Sequence, residues 1–111
     1  MKLAIIGSRT VDQLSIEPYV PENTTEIVSG GAKGVDTLAR EYAEAHGIPF
    51  AEFLPDYARY KRAAPLKRNE EIARYADEAL AFWDGHSKGT AHTLKEFERL
   101  GKKITVISVE S

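Results

Sequence analysis

The segment TEIVSGGAKGVDTLAREYAEAHG, residues 25–47, has the pattern of a strand, a glycine-rich loop and a helix. Residues 25–29 are a short, mainly apolar run that Gly30 and Gly31 end. From Val35 onward, apolar side chains return every three or four positions, which is the period of an amphipathic helix. Gly47 is a common kind of helix stop. This order predicts a strand–loop–helix unit of the kind that builds parallel α/β sheets.

Four more short runs repeat the strand pattern along the chain. A run that is apolar on both faces is typical of a strand buried in a parallel sheet. The first three of these runs are followed by Gly7, by Pro55, and by Asp84 with Gly85, which are ordinary strand boundaries. The runs are KLAII at 2–6, IPFAEFL at 48–54, EALAFW at 78–83 and KITVISV at 103–109.

Helical patterns separate these runs. Residues 90–101, TAHTLKEFERLG, have apolar positions at helical spacing and end at a glycine. Pro65 is expected to start a helix that runs to about Tyr75, because proline suits the first helical turn. Residues 57–64 are expected to hold a separate helical turn, and the first connection, residues 10–25, at most a short helix.

The alternation of strands and helices predicts the fold class. We expect an α/β fold with a three-layer, Rossmann-like, doubly wound parallel sheet of about five strands in the order 3-2-1-4-5. A chain of 111 residues suits one domain, residues 1–111. The strand order then reverses between the first and fourth strands. Ligands of such sheets bind beyond the carboxyl ends of the strands at this point.

Composition narrows the function classes. The chain has no cysteine and a formal net charge of −2, so thiolate metal sites are excluded and duplex DNA is disfavoured as a partner. No stretch approaches the roughly 18 apolar residues of a membrane span. We therefore expect a cytoplasmic protein with no membrane partner. Residues 57–75 carry six basic and two acidic side chains, which leaves a local anion site open.

The loops after the first two strands carry the first group of candidate ligand-binding residues. Glycines allow tight turns and the close approach of an anion to backbone N–H groups, and the following helix N-terminus favours negative charge. A tight turn that only packs helix against strand is the alternative. For Asp36 a structural role in the first turn is at least as good an interpretation as ribose binding. The candidates are Gly7, Ser8, Arg9, Ser29, Gly30, Gly31, Ala32, Lys33, Gly34 and Asp36.

The segments after strands three and four carry the second group. Arg68 is suited to pair with a phosphate and Asn69 to bond a base or ribose, although both also fit a solvated helix face. Two glycine-to-helix junctions in one short chain argue for a site more strongly than either alone. Thr90 is interpreted as a helix N-cap or a phosphate ligand, and Asp84 as a ribose ligand or a turn cap. The candidates are Arg68, Asn69, Asp84, Lys88, Gly89 and Thr90.

The sequence offers little support for a metal site or for a catalytic nucleophile. The three histidines form none of the helical metal-binding patterns, so we expect no metal and no required cofactor. His46 lies near the end of a helix, where packing or capping is expected. Ser8 lacks the G-x-S-x-G context of a nucleophile.

Five blocks, in order, resemble the SLOG superfamily, the Rossmann-like group that includes DprA and the Lonely-guy enzymes. The match is best with its small YspA-like branch. The resemblance implies a pocket for nucleotides or nucleotide-derived ligands, built from the loops after strands one, two and four. The blocks are GSR, SGGAKGVDTLAREYAEAHG, PLKRN, ADEALAFWDG and KGTAHTL.

The resemblance also implies a possible reaction. Lonely-guy enzymes cleave the N-glycosidic bond of a nucleoside monophosphate with an arginine and a glutamate. Arg68 matches that arginine, but Thr93 stands at the glutamate position, or His92 if the register slips by one residue. Asp84 and Glu96 are candidate replacements, because an oxocarbenium-like transition state favours a nearby carboxylate. The catalytic residues are therefore unknown, with Arg68, Asp84 and Glu96 as candidates.

Three hypotheses follow, and the binding of a nucleotide-derived small molecule, as a sensor, is preferred. The alternative is a nucleosidase or phosphoribohydrolase on the same pocket. Single-stranded DNA binding, as in DprA-type members, ranks third, because tyrosines at helical spacing usually pack against the sheet. A homodimer stays open as the assembly, since two helices have faces that a second copy can bury.

Overall fold

The computed structural model describes residues 1–11, 13–31 and 33–109. It contains five strands in one parallel sheet, in the order β3-β2-β1-β4-β5, so the predicted Rossmann-like fold and strand order are confirmed. The strands are β1 (Lys2–Gly7), β2 (Glu26–Ser29), β3 (Phe50–Glu52), β4 (Glu78–Trp83) and β5 (Lys103–Ser108).

Helices cover both faces of the sheet. Short 3₁₀ turns lie at Glu17–Tyr19, in the first connection, and at Lys61–Ala63. The helices are α1 (Val35–His46), α2 (Tyr57–Tyr60), α3 (Ala64–Tyr75) and α4 (Lys88–Arg99).

Two apolar clusters, one on each face, hold the layers together. On the first face, α1 packs against a cluster that contains Ile5, Ile27 and Phe82. On the second, α3 and α4 pack against a cluster that contains Ile72 and Phe97. Both phenylalanine side chains are fully buried. Because β1, β2 and β4 contribute side chains to both faces, their carboxyl ends are fixed between two cores.

The strand predictions fail mainly at the sheet edges. The strand predicted over 48–54 is only three residues long, because β2 pairs with it only from Phe50 to Glu52. The last strand is not buried on both faces as its pattern suggested. It lies at the other edge, and Val106 is 42% exposed there.

Two helix starts differ from the prediction and change the setting of the candidate residues. Helix α4 begins at Lys88, with Ser87 as its N-cap residue, so Thr90 lies inside the first turn and is not the cap. Helix α3 begins at Ala64, one residue before the predicted start, so Arg68 and Asn69 lie in its second turn. The side chains of Asn69 and Thr90 are both buried.

Candidate functional site

A cavity of about 680 Å³ opens at the carboxyl ends of the strands, between the loops after β1, β2 and β3 and helices α3 and α4. This is where a doubly wound sheet places a ligand. The described residues that line it are Ile6, Gly7, Arg9, Gly30, Gly31, Asp36, Leu54, Pro55, Tyr57, Pro65, Arg68, Asn69, Ile72, Ser87, Lys88, Gly89, Thr90 and Thr93.

Most of the candidate ligand-binding residues meet in this cavity. The prediction for Ala32 lies outside the described residues. Five other candidates are not among the described residues of the lining, namely Ser8, Ser29, Lys33, Gly34 and Asp84. The candidates that do line it are Gly7, Arg9, Gly30, Gly31, Asp36, Arg68, Asn69, Lys88, Gly89 and Thr90.

Arg68 is the most firmly held cation of the lining. Its Nη1 donates to the Gly30 carbonyl at 2.7 Å, and its Nε donates to Asn69 Oδ1 at 2.9 Å. Burial lowers the pKa of its guanidinium, and Arg9 lowers it further, whereas Asp36 and Tyr57 raise it. A guanidinium has more N–H groups than these two bonds use. Arg68 is therefore a fixed, partly desolvated donor on the cavity wall.

Helix α4 begins at the cavity wall. Ser87, its N-cap residue, accepts the bond from the Ala91 N–H. Within the described part of the chain, no acceptor is found for the backbone N–H groups of Lys88, Gly89 and Thr90. Lys88 places a positive charge in the first helical turn, where the helix dipole disfavours it. An anion bound there would satisfy both the N–H groups and this charge.

Close packing within the protein accounts for several of the glycines around the cavity, without any ligand. A Cβ on Gly7 would lie 2.4 Å from the Phe82 carbonyl oxygen, and one on Gly34 would lie 2.5 Å from the Arg9 carbonyl oxygen. A Cβ on Gly30 would meet the Arg68 guanidinium at 2.7 Å. These glycines allow close packing around the cavity. At Gly89, by contrast, nothing lies within 4 Å of the Cβ position, so that helix end is open.

The N-terminus of α1 offers less to an anion than the sequence suggested. The Val35 N–H donates to the Ser8 carbonyl at 3.4 Å, and the Thr37 and Leu38 N–H groups donate to Gly34. The side chain of Lys33 is exposed. Most of the N–H groups in this first turn are therefore engaged inside the protein.

Asp84 and Ser8 hold a loop together outside the cavity lining. Asp84 Oδ1 accepts bonds from the His86 and Ser87 N–H groups at 2.8 and 2.9 Å, and these bonds lower its pKa. Ser8 Oγ accepts from the Asp84 N–H and from Ser87 Oγ. Asp84 is thus a turn cap, as one of the two interpretations held. Its position does not support the catalytic role.

The remaining catalytic candidates differ in their positions. Glu96 pairs with Arg99 at 2.7 Å, which lowers its pKa, and it does not belong to the described lining. Thr93, at the Lonely-guy glutamate position, does line the cavity and donates its hydroxyl to the Gly89 carbonyl at 2.9 Å. Asp36 is the one acidic side chain among the described residues of the lining.

An apolar wall was missed by the sequence analysis. Leu54 and Tyr57 line the cavity, although they are 61% and 60% exposed. The expectation that the tyrosines of this segment pack against the sheet is wrong for Tyr57. The apolar side chains of Leu54 and Tyr57, which follow β3, were the signal that the sequence offered. A sequence pattern does not show which side of a short turn faces a cavity. Pro55 and Pro65 extend this wall.

Neither a metal site nor a membrane span is found in the parts of the chain that the structure covers. No group of three or more His, Cys, Asp or Glu side chains is close enough to hold an ion in residues 1–11, 13–31 and 33–109. Over the same ranges, no helix has the length and apolar character needed to cross a membrane.

Comparisons with known proteins identify the family of the chain. Residues 1–60 match the model of the YspA, cpYpsA-related SLOG family. The chain belongs to this family. It is also 32% identical over 96 residues to the Gene 61 protein of Mycobacterium phage D29, across 81% of this chain and 74% of that protein. No solved structure matches the chain. The SLOG match covers the loops after β1 and β2, whereas Arg68 and α4 lie beyond it.

Proposed function

We propose that the chain binds a nucleotide or nucleotide-derived small molecule in this cavity, as a sensor of that ligand. One observation carries the proposal. The anchored guanidinium of Arg68 and the open N-terminus of α4 face the same cavity as an exposed apolar wall. A nucleotide has the matching parts, since its phosphate is anionic and its base has an apolar face. SLOG membership supports a nucleotide-related ligand.

The proposed orientation follows from the positions of charge and apolar surface. The phosphate accepts from the Gly89 and Thr90 N–H groups and from Arg68, while Lys88 and Arg9 neutralise its charge. The base lies against Tyr57 and the neighbouring apolar wall, where an aromatic side chain gives it a stacking surface. Lys33 has no part in this orientation, because it lies outside the lining.

A thermal-shift screen tests the proposal. The panel contains nucleoside mono-, di- and triphosphates, cyclic nucleotides, NAD and ADP-ribose. A ligand present at about 100 times its dissociation constant adds roughly 2.7 kcal/mol of stability, which raises the Tm of a domain this small by about 10 °C. Arg68→Ala is expected to abolish the shift. Arg74→Ala, a control on the exposed side of the same helix, should retain it.

A second candidate function, hydrolysis of an N-glycosidic bond, rests on Asp36. This carboxylate lines the cavity and interacts with Arg68 through space. A carboxylate in such a position stabilises an oxocarbenium-like transition state or activates a water. Chromatography of the same samples decides between the two functions. Free base that appears with the wild type and not with Asp36→Asn supports a hydrolase, whereas intact ligand supports a sensor.

A further inference from the structure

A continuous set of hydrogen bonds links His92 to Arg68 through one buried amide. Asn69 is 6% exposed. Its Oδ1 accepts from Arg68 Nε at 2.9 Å, and its Nδ2 lies 3.3 Å from His92 Nδ1 and 3.5 Å from the Gly89 carbonyl. The histidine itself is not among the described residues that line the cavity. Asn69 thus connects His92 with a side chain of the cavity wall.

The donors and acceptors permit one assignment of this network. Arg68 only donates, so the Asn69 atom that faces it must be the amide oxygen. The amide nitrogen then faces His92 Nδ1 and the Gly89 carbonyl, and both must accept. His92 is therefore neutral, with its hydrogen on Nε2. This tautomer is assigned from the hydrogen-bond partners of the ring, as histidine tautomers ordinarily are.

We propose that His92 is a positioning residue for the anion site, because it holds the Asn69 amide in the orientation that anchors Arg68. The inference rests on the proposed function only in naming a nucleotide phosphate as the anion. Protonated His92 donates from both nitrogens and cannot accept from Asn69. If the amide turned to present its oxygen to His92, its nitrogen would face Arg68 Nε, and two donors would meet. Every arrangement with a protonated ring loses a hydrogen bond.

The direction of the pH effect follows from this loss. The anchored arrangement requires the neutral ring, so it is complete at high pH and is lost where acid protonates the ring. Glu96 interacts with His92 through space. The charged side chains of the two helices that pack together here are Lys67, Arg68, Glu70, Glu71 and Arg74 on α3, and Lys88, Lys95, Glu96, Glu98 and Arg99 on α4.

NMR on the ligand-free protein tests the network without any nucleotide. The expected result is that the ¹⁵N signals of His92 at pH 8 show a hydrogen on Nε2 and none on Nδ1. The Arg68 Nε–H signal should shift as His92 titrates, and this shift should be absent in His92→Gln. A hydrogen on Nδ1 at pH 8, or an Arg68 signal that ignores the His92 titration, would overturn the proposal.

Sulfate binding then measures the effect on the anion site, since sulfate remains a dianion from pH 5.5 to 8. His92→Gln retains an acceptor for Asn69, so its affinity at pH 8 should stay within about twofold of wild type. His92→Phe removes the acceptor and should weaken binding about fivefold. The ratio of the affinities at pH 8 and pH 5.5 should be about fivefold larger in wild type than in His92→Gln.

Controls separate this inference from the proposed function. His46→Gln alters an exposed histidine that stacks on Tyr42, with ring centroids 4.1 Å apart, so it should behave as wild type. Equal pH ratios in wild type and His92→Gln would contradict the positioning role. If the network and the sulfate effect are found but no nucleotide binds, the proposed function fails and the positioning role stands. If His92→Phe does not fold, the positioning role is tested by the pH ratio of His92→Gln and by the NMR spectra of the wild type.

Discussion

Gly34 and Gly47 both have a positive φ angle but lie in different surroundings. Their φ angles are 76° and 65°, which disfavour any other residue. A Cβ on Gly34 would also lie 2.5 Å from backbone, whereas nothing lies within 4 Å of one on Gly47. We expect Gly47→Ala to cost about 1 kcal/mol and Gly34→Ala to cost about 3 kcal/mol or more. Chemical denaturation measures both, and equal losses would contradict the described packing of the loop after β1 on α1.

Gly30→Ala tests whether the anchor of Arg68 matters for binding. The added Cβ would lie 2.7 Å from Arg68 Nη1, which is the end of a flexible side chain and can move away. We expect nucleotide affinity to fall about tenfold and the free energy of unfolding to change by less than about 1 kcal/mol. The double variant with Arg68→Ala should bind no more weakly than Arg68→Ala alone, because both changes remove one interaction. Additive losses would place Gly30 in direct contact with the ligand.

At the scale of single residues, the sequence predicts the types of side chain at the site better than their tasks. Arg68, Asn69, Lys88 and Gly89 do line the cavity, and their binding of a ligand stays a prediction. Ser8 was proposed to orient a ligand, but its hydroxyl holds the loop after β4. The difference lies in contacts between segments more than 70 positions apart in the chain, and no local pattern encodes such contacts.

Lys102 stabilises the end of helix α3. Its Nζ donates to the carbonyl oxygens of Ala73, Arg74 and Ala76 at 2.7, 3.0 and 2.7 Å. A cation is favourable at a helix C-terminus because of the dipole and the free carbonyl groups. We expect Lys102→Met to lower the free energy of unfolding by about 1–2 kcal/mol, as measured by urea denaturation. Lys103→Met, at an exposed neighbour, is the control and should change it by less than about 0.5 kcal/mol.

The stability of the loop between β4 and α4 is expected to depend on pH through the carboxylate of Asp84. Its pKa is lowered by the His86 and Ser87 N–H groups, so its contribution to stability is present above the ordinary carboxyl pKa of about 4 and is lost as the pH falls below it. We expect the Tm of wild type to fall more steeply between pH 5 and 3 than the Tm of Asp84→Ala. Glu98→Ala, at an exposed glutamate, should follow wild type. Parallel curves for wild type and Asp84→Ala would contradict the capping role.

The helices and the inner strands of the sheet were predictable from the sequence, whereas the bounds of the edge strands were not. The run EALAFW became β4 with the predicted bounds, since it pairs with a strand on each side. The run IPFAEFL became a three-residue edge strand, because its partner β2 offers pairing only as far as Ser29. Helix α4 began two residues earlier than Thr90 because Ser87 ends the loop that Asp84 caps. A hydrophobic pattern contains no information on either boundary.

On the scale of the whole molecule, the fold brings five separate segments to one cavity, namely three loops and the helices α3 and α4. The order 3-2-1-4-5 followed from the alternation of elements and from right-handed crossovers, and it places the loops after β1, β2 and β3 opposite α4. The polar half of the cavity, with Arg68, Asn69 and Lys88, was therefore predictable. Its apolar half, with Leu54 and Tyr57, depends on how the turn after β3 folds back, and that is a tertiary property.

The proposed function requires that a nucleotide phosphate binds where Arg68 meets the N-terminus of α4. An NMR titration of ¹⁵N-labelled protein with AMP and with ADP-ribose is the first experiment to perform. We expect saturable shifts of the Gly89 and Thr90 amide signals and of the Arg68 Nε–H signal with at least one of the two ligands. Arg68→Ala should weaken the amide shifts at least tenfold. Saturable shifts confined to other surfaces, such as the exposed face of β5, or no shift with either ligand, would contradict the account.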